Sequence, residues 1–196
     1  MIADLCLVLL LDASGSIDQS AWDLQAKATG DALSNPAIVE RITLGPNGRI
    51  AVTAMEWSKG VLVMLPWTEI AGMDDAKSAA LIIATHRRHQ SSSTAVGDAL
   101  LAAAAALKAG PHCLRHVVDI SSDGTNNDGS DPIAAVTMLQ GMDVMVNAVV
   151  IEDEKGVLDY YRNTVSGFVI PASWEGYAQA IKAKLQLEVA DLQSGR

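Results

Sequence analysis

The residues best suited to chemistry form a short polar segment directly after an apolar run. Seven apolar residues, 5–11, end at Asp12, and Ser14 and Ser16 follow at alternate positions with small residues between them. This pattern predicts a buried strand that ends in a tight loop, with one carboxylate and two hydroxyls able to converge on one point. Such oxygen ligands suit Mg²⁺, Mn²⁺ or Ca²⁺ and suit zinc or copper poorly. Taken alone, the segment is also typical of a turn followed by a helix N-cap, so both interpretations stay open.

The composition limits the classes of function. The 196 residues are 49% hydrophobic, so the chain can bury a core, and we expect one domain over residues 1–196. With 14 basic and 23 acidic residues the net charge is -9, and no basic cluster is present, which argues against a nucleic-acid partner. The apolar runs are shorter than the roughly 18 residues that indicate a membrane span. The apolar start leads into a polar loop rather than a cleavage site, so it predicts a core strand and not a secretory signal.

The order of the predicted elements indicates an α/β fold. Strands are predicted at residues 5–11, 49–57, 61–66, 117–122, 144–151 and 168–170, and helices at residues 17–33, 37–42, 74–88, 95–109, 131–140, 158–164 and 174–192. Only residues 58–60 separate the second and third strands, so these two form an antiparallel hairpin. The remaining strands alternate with helices. We therefore predict a three-layer, doubly wound, mostly parallel sheet with the hairpin at one edge and helices on both faces.

This topology predicts that distant polar residues meet at one edge of the sheet. In open α/β sheets, ligands bind outside the carboxyl ends of the strands where the strand order reverses. If the hairpin lies on one side of the first strand and residues 117–122 lie on the other, that point falls between Asp12 and Asp123. Thr94 opens a helix on the same edge. The expected cluster consists of Asp12, Ser14, Ser16, Thr94 and Asp123.

Those five residues, in this order, resemble the metal-ion-dependent adhesion site of von Willebrand factor A domains. The resemblance rests on D-x-S-x-S at residues 12–16, a threonine in a polar loop before a helix, and Asp-Gly after a later strand. Three further segments resemble an uncharacterised bacterial branch of that superfamily. They are residues 45–53, 120–129 and 159–162, so the likeness extends over nearly the whole chain.

The resemblance implies a role for each ligand. Ser14, Ser16 and Thr94 would bind Mg²⁺ directly, with Mn²⁺ or Ca²⁺ as alternatives, whereas Asp12 and Asp123 would act wholly or partly through bound water. Because few of the direct ligands are anionic, the ion would attract a further carboxylate. The implied function is non-enzymatic adhesion or assembly, in which the metal holds an Asp or Glu of a protein partner. The resemblance also implies an extracytoplasmic location, with the cytoplasm as the alternative.

Four more residues are candidates for the rim of this site. Asn126, Asn127 and Asp128 follow Asp123 in the same loop, and they are equally suited to shape a turn and cap the next helix. Trp57 ends a predicted strand on the same edge, where contact with a partner is expected.

Two other functions remain open. A metal-assisted hydrolase would need a base, for which Asp128 is the nearby candidate. However, Ser14 lacks the glycines of a G-x-S-x-G elbow, and no histidine is predicted in the loops at this edge. The second alternative is a structural module whose metal only stabilises the loops. In such a module the protein itself would fill the coordination sphere, whereas a recognition site keeps a water or a foreign carboxylate there.

The histidines and cysteines predict no second metal site. His86 and His89 are spaced for one helix face, and residues 112–116 hold two histidines and a cysteine, but neither set supplies four ligands. We therefore predict ordinary surface or strand-end positions for them. Cys6 and Cys113 lie in or beside apolar runs and are expected to behave as small buried residues, with a single disulfide as the open alternative.

Overall fold

The computed structural model describes residues 2–151 and 156–190. Within these ranges the chain forms one six-stranded sheet with helices on both faces. The strands are β1 (Ala3–Asp12), β2 (Ile50–Trp57), β3 (Val61–Ile70), β4 (Cys113–Ser122), β5 (Val144–Ile151) and β6 (Val169–Ala172). The helices are α1 (Gln19–Leu33), α2 (Pro36–Thr43), α3 (Met73–Ala84), α4 (Val96–Ala109), α5 (Pro132–Gln140), α6 (Val157–Thr164) and α7 (Tyr177–Ala190).

The strand order confirms the predicted fold class. The sheet runs β3-β2-β1-β4-β5-β6, with β2 and β3 antiparallel and every other pair parallel. β1 lies between β2 and β4, and all ten of its residues are buried. A parallel strand covered on both faces is expected to be a continuous apolar run, which explains the composition of residues 5–11.

Two hydrophobic layers pack on the sheet. On one face, β1 contributes Leu5, Leu7, Leu9 and Leu11 to a core that α1, α2, α3 and α7 cover. On the other face, Cys6, Val8 and Leu10 pack against α4, α5 and α6. Among the described helices, none has both the length and the apolar character needed to cross a membrane.

The predicted end of the third helix is wrong. The helix ends at Ala84 rather than at Arg88, because Glu56 of β2 binds the chain that follows. Its carboxylate accepts hydrogen bonds from the backbone N–H groups of His89 and Gln90, at 2.7 and 2.6 Å. Residues 85–95 therefore form a loop that leads to α4. The two histidines lie in that loop at the edge of the sheet and not on a helix face, so the prediction that no histidine lies there is also wrong.

The other differences concern element ends. β3 continues to Ile70 and β4 begins at Cys113, because ladder pairing with β2 and β1 extends the predicted strands. The last helix begins at Tyr177 rather than at residue 174. Its predicted end at residue 192 lies outside the described residues.

A buried ion cluster joins α7 to the sheet. Lys184 is fully buried and forms ion pairs with Asp119 of β4 and with Glu188, whose Oε1 lies 2.8 Å from Lys184 Nζ. Asn147 of β5 donates to the same Glu188 oxygen at 3.0 Å. Burial alone would lower the pKa of Lys184, but the two carboxylates outweigh that effect and raise it. The ammonium therefore stays charged and fixes α7 against the middle of the sheet.

A disulfide joins the two central parallel strands. Cys6 of β1 and Cys113 of β4 are bonded, with their Cα atoms 5.6 Å apart and a separation of 107 positions in the sequence. The single disulfide that the sequence left open as an alternative is therefore present. In the chain-entropy model, a cross-link over so long a loop removes much of the freedom of the unfolded chain.

We predict that breaking this disulfide lowers the free energy of unfolding by about 2–4 kcal/mol, which is typical of native disulfides. Urea denaturation of the oxidised protein with and without reductant measures the loss. The Cys6→Ala/Cys113→Ala protein is the control, because its unfolding midpoint should not respond to reductant. Equal midpoints for the oxidised and reduced wild type would contradict the prediction.

Candidate metal centre

The carboxylate of Asp12 is held in place at the carboxyl end of β1. Its Oδ1 accepts a hydrogen bond from the backbone N–H of Ser14 at 2.7 Å, and its Oδ2 accepts one from Ser122 Oγ at 2.5 Å. Gln25 of α1 donates to the backbone carbonyl of Asp12 at 2.8 Å. The side chain is fully buried. The loop after β1 and the end of β4 therefore fix the orientation of this carboxylate, and α1 binds the backbone of the same residue.

Two serine hydroxyls connect the loop after β1 (residues 13–18, the β1 loop) to the loop after β4 (residues 123–131, the β4 loop). Ser14 Oγ and Ser16 Oγ lie 3.2 Å apart, and Ser16 Oγ donates to Asp123 Oδ1 at 2.7 Å. Ser14 and Asp123 are buried, whereas Ser16 is exposed. The oxygen atoms thus form a chain that begins beneath the surface and reaches solvent at Ser16.

Thr94 lies against the β4 loop as the last residue but one before α4. Its backbone N–H donates to Asn127 Oδ1 at 2.8 Å, and its carbonyl accepts from the backbone N–H of Asn127 at 3.0 Å. A Cβ atom built on Gly124 would lie 3.5 Å from Thr94 Oγ1. The threonine hydroxyl is therefore next to the residue that follows Asp123. The structure brings all five predicted residues to the same edge of the sheet.

The loop of residues 85–95 is also bound to the β1 loop. Arg88 Nη2 donates to the carbonyl oxygens of Ala13 and Ser14, at 3.0 and 2.6 Å. The backbone N–H of Gly15 donates to the carbonyl oxygen of Ser92 at 2.7 Å. These bonds set the position of the serines relative to the threonine.

The electrostatics of Asp12 favour a cation. Burial raises its pKa to about 7, even though hydrogen bonds from Ser122 and Ser14 oppose the rise. Among the described residues, no Lys, Arg or His side chain contacts this carboxylate. Its surroundings are neutral hydroxyls and one further carboxylate. A divalent ion fits this donor set, because hard cations prefer oxygen ligands and because the ion would offset a charge that burial otherwise disfavours.

The three polar residues 126–128 of the β4 loop bind neighbouring segments of the chain. Asn126 Oδ1 accepts from the backbone N–H of Gly97 in α4 at 3.3 Å, and Asn127 binds Thr94 as described. Asp128 Oδ2 accepts from Ser93 Oγ at 2.7 Å and lies 3.4 Å from Lys59 Nζ. These hydrogen bonds lower the pKa of Asp128, the Ser93 bond most of all. Asp128 therefore remains ionised and is a weak general base.

Trp57 does not belong to the rim of the site. Its side chain has no exposed surface and packs in the core beneath α4. The prediction that it contacts a partner is wrong, because the strand alternation turns its side chain into the layer between sheet and helix rather than toward the edge.

Sequence reasoning missed three residues that organise the site. Ser122 donates to Asp12, Arg88 binds the β1 loop, and Glu56 fixes the loop that carries Thr94. Ser122 had a detectable signal, because it directly precedes Asp123 at the end of a strand. Arg88 and Glu56 had none, since their contacts depend on the end of α3 and on strand pairing.

The fold is that of von Willebrand factor A domains. Proximal thread matrix protein 1 from the mussel byssus matches with a TM-score of 0.71 and 18% identity, over 95% of this chain and 46% of that one. A von Willebrand factor type A protein from Catenulispora acidiphila matches with a TM-score of 0.70 and 16% identity, over 93% of this chain and 42% of that one. The vWF domain of the type V pili tip protein Mfa5 from Porphyromonas gingivalis matches with a TM-score of 0.71 and 10% identity, over 98% of this chain and 97% of that one. This chain thus spans less than half the length of the first two proteins.

Another structure of the mussel protein has a zinc-occupied MIDAS motif, which is the metal-ion-dependent adhesion site. It matches with a TM-score of 0.67 and 18% identity, over 96% of this chain and 48% of that one. No curated protein matches this chain in sequence. A family described as "Protein of unknown function (DUF1194)" matches residues 2–193, which is nearly the full sequence. The chain therefore belongs to this family, and its fold is that of a von Willebrand factor A domain.

Proposed function

We propose that this protein is a non-enzymatic, cation-dependent protein-binding domain. In this proposal a divalent cation binds at Asp12, Ser14, Ser16, Thr94 and Asp123, and its remaining coordination position holds a carboxylate of a protein partner. One observation carries the proposal. The fully buried carboxylate of Asp12 is surrounded by hydroxyl groups, and no cationic side chain of the described residues contacts it.

The donor atoms favour Mg²⁺, with Mn²⁺ and Ca²⁺ as alternatives. All five side chains offer oxygen, and three of them are neutral hydroxyls. The zinc-occupied motif of the mussel protein supports the view that a site on this fold accepts a divalent ion. The bound ion would offer an electrophilic coordination position to solvent, because its ligand Ser16 lies at the surface.

An acidic partner group suits this arrangement. The direct ligands would leave much of the charge of the cation uncompensated, so an incoming carboxylate gains a strong charge-assisted contact. The protein itself has a net charge of -9 and repels acidic groups at long range. Binding of an acidic segment should therefore depend on the metal to an unusual degree.

Two further observations support an adhesion or assembly role. Contacts with Ser93 and Lys59 lower the pKa of Asp128, the nearby candidate base, so its carboxylate is a weak proton acceptor, which argues against hydrolysis. The Cys6–Cys113 disulfide is typical of oxidising compartments, and the similar Mfa5 domain belongs to a pili tip protein. We therefore propose an extracytoplasmic location.

We predict that Ser14→Ala lowers the affinity for Mg²⁺ by at least about tenfold, because it removes a ligand that no other described side chain replaces. Isothermal titration of chelator-treated protein with Mg²⁺, Mn²⁺ and Ca²⁺ measures this loss. Ser78→Ala is the matched control, since Ser78 is an exposed residue of α3 that donates only to Asp74. Indistinguishable titrations of all three proteins would remove the proposed site.

We predict opposite effects of Asp12→Asn with and without metal. The folded pKa of about 7 lies above the unfolded value of 3.8, so the charged form of Asp12 weakens the metal-free fold as the pH rises through this interval. At pH 8 with chelator, Asp12→Asn should therefore melt at a higher temperature than the wild type, and the difference should fade toward pH 4. Excess Mg²⁺ should raise the melting temperature of the wild type alone. A variant that melts lower than the wild type in chelator at pH 8 would contradict this account of Asp12.

We predict that Mn²⁺ in this site keeps a water ligand that a carboxylate displaces. Paramagnetic Mn²⁺ with an exchangeable water speeds the relaxation of bulk water protons, and added succinate should reduce that effect. Ser14→Ala protein, which lacks the tight site, provides the baseline. If bound Mn²⁺ has no effect on water relaxation beyond this baseline, the coordination sphere is filled by the protein and the metal is structural.

A further inference from the structure

A second group of metal-ligating side chains lies beside the first centre. Glu56 is the last residue but one of β2, and His86 and His89 lie in the loop after α3. Glu56 Oε2 is 2.9 Å from His86 Nε2 and 3.5 Å from His89 Nδ1. One ligand atom from each of the three residues lies within 4.8 Å of the other two. The carboxylate is fully buried, whereas the His89 side chain is 56% exposed.

The cluster is held rigid by contacts that leave its ligand atoms facing one another. Glu56 Oε1 accepts the backbone N–H groups of His89 and Gln90, so the carboxylate cannot rotate and Oε2 stays directed at the imidazoles. Trp22 Nε1 donates to the carbonyl of His86 at 3.1 Å, and the two histidine rings lie 5.0 Å apart between centroids. Such support of the ligands is a common feature of metal sites in proteins.

We propose that Glu56, His86 and His89 bind a divalent ion of the zinc class, such as Zn²⁺, Co²⁺ or Ni²⁺. Two imidazoles and a carboxylate form a three-ligand set that zinc uses with its fourth position open. Ligand atoms about 2.0–2.1 Å from a tetrahedral ion stand about 3.4 Å apart, and the two distances from Glu56 to the histidines, 2.9 and 3.5 Å, are close to that value. Imidazole ligands favour this class over Mg²⁺ and Ca²⁺, so the site differs in selectivity from the oxygen-only centre at Asp12.

An ion bound to this cluster would hold the loop after α3 against the sheet. Binding would tie the start of the loop of residues 85–95 to β2, and the same loop carries Arg88 and Thr94. The inference does not depend on the proposed function, because the three ligands are separate from the five oxygen ligands. The half-exposed ring of His89 provides the route by which an ion reaches the buried carboxylate.

The test is titration of chelator-treated protein with Co²⁺ in the presence of excess Mg²⁺, followed by visible absorption. Imidazole-bound, tetrahedral Co²⁺ gives much stronger bands than octahedral Co²⁺ bound only by oxygen. We expect the wild type to develop strong bands that Zn²⁺ abolishes. His89→Ala should weaken Co²⁺ affinity at least tenfold and remove these bands. His112→Ala is the matched control, since it removes an exposed histidine outside the cluster and should behave like the wild type.

His86→Ala removes a different ligand of the cluster and should lower the Co²⁺ affinity and abolish the strong bands as His89→Ala does. Thermal melts in chelator compare the folding of the variants with that of the wild type. If His89→Ala and His112→Ala give the same Co²⁺ curves, or if the wild type shows only the weak bands of an octahedral ion, the cluster is a hydrogen-bonded brace and the proposal is overturned.

Discussion

The carboxylate of Asp12 lies at the end of the fully buried strand β1, and hydrogen bonds from the following loop and from β4 reach it. A charge in that position is disfavoured by burial, which raises its pKa to about 7. Hydrogen bonds from Ser14 and Ser122 orient the group but do not neutralise it. A divalent cation would do so, and the proposed ligands come from the loop after β1, the loop of residues 85–95 and the loop after β4.

The loop of residues 85–95 links the parts of this edge. Glu56 fixes its beginning, Arg88 binds the β1 loop, and Thr94 contacts the β4 loop near its end. The two candidate metal sites therefore share one connection between α3 and α4, although they use different ligand chemistry. An ion at either site would restrict the same segment.

Much of this arrangement follows from local patterns in the sequence. The apolar run 5–11 identifies the central strand, and the three-residue connection 58–60 permits only a hairpin. Which strands flank β1 was an assumption at that stage, and the strand order of the structure supplies it. The ends of α3 and the burial of Trp57 were not predictable in this way. Helical periodicity continues past Ala84, but tertiary hydrogen bonds, among them those to Glu56, hold the chain in a loop from Thr85 onward. The Glu56 cluster escaped notice for the same reason, because its carboxylate comes from a strand 30 residues before His86.

The most direct measurement is a crystal structure of the protein grown with Mn²⁺, with an anomalous difference map calculated at a wavelength where manganese scatters strongly. The account predicts one peak between the hydroxyl oxygens of Ser14, Ser16 and Thr94, with Asp12 and Asp123 behind it. A map with no peak at this position, in crystals that contain Mn²⁺ bound elsewhere on the protein, would contradict the central claim.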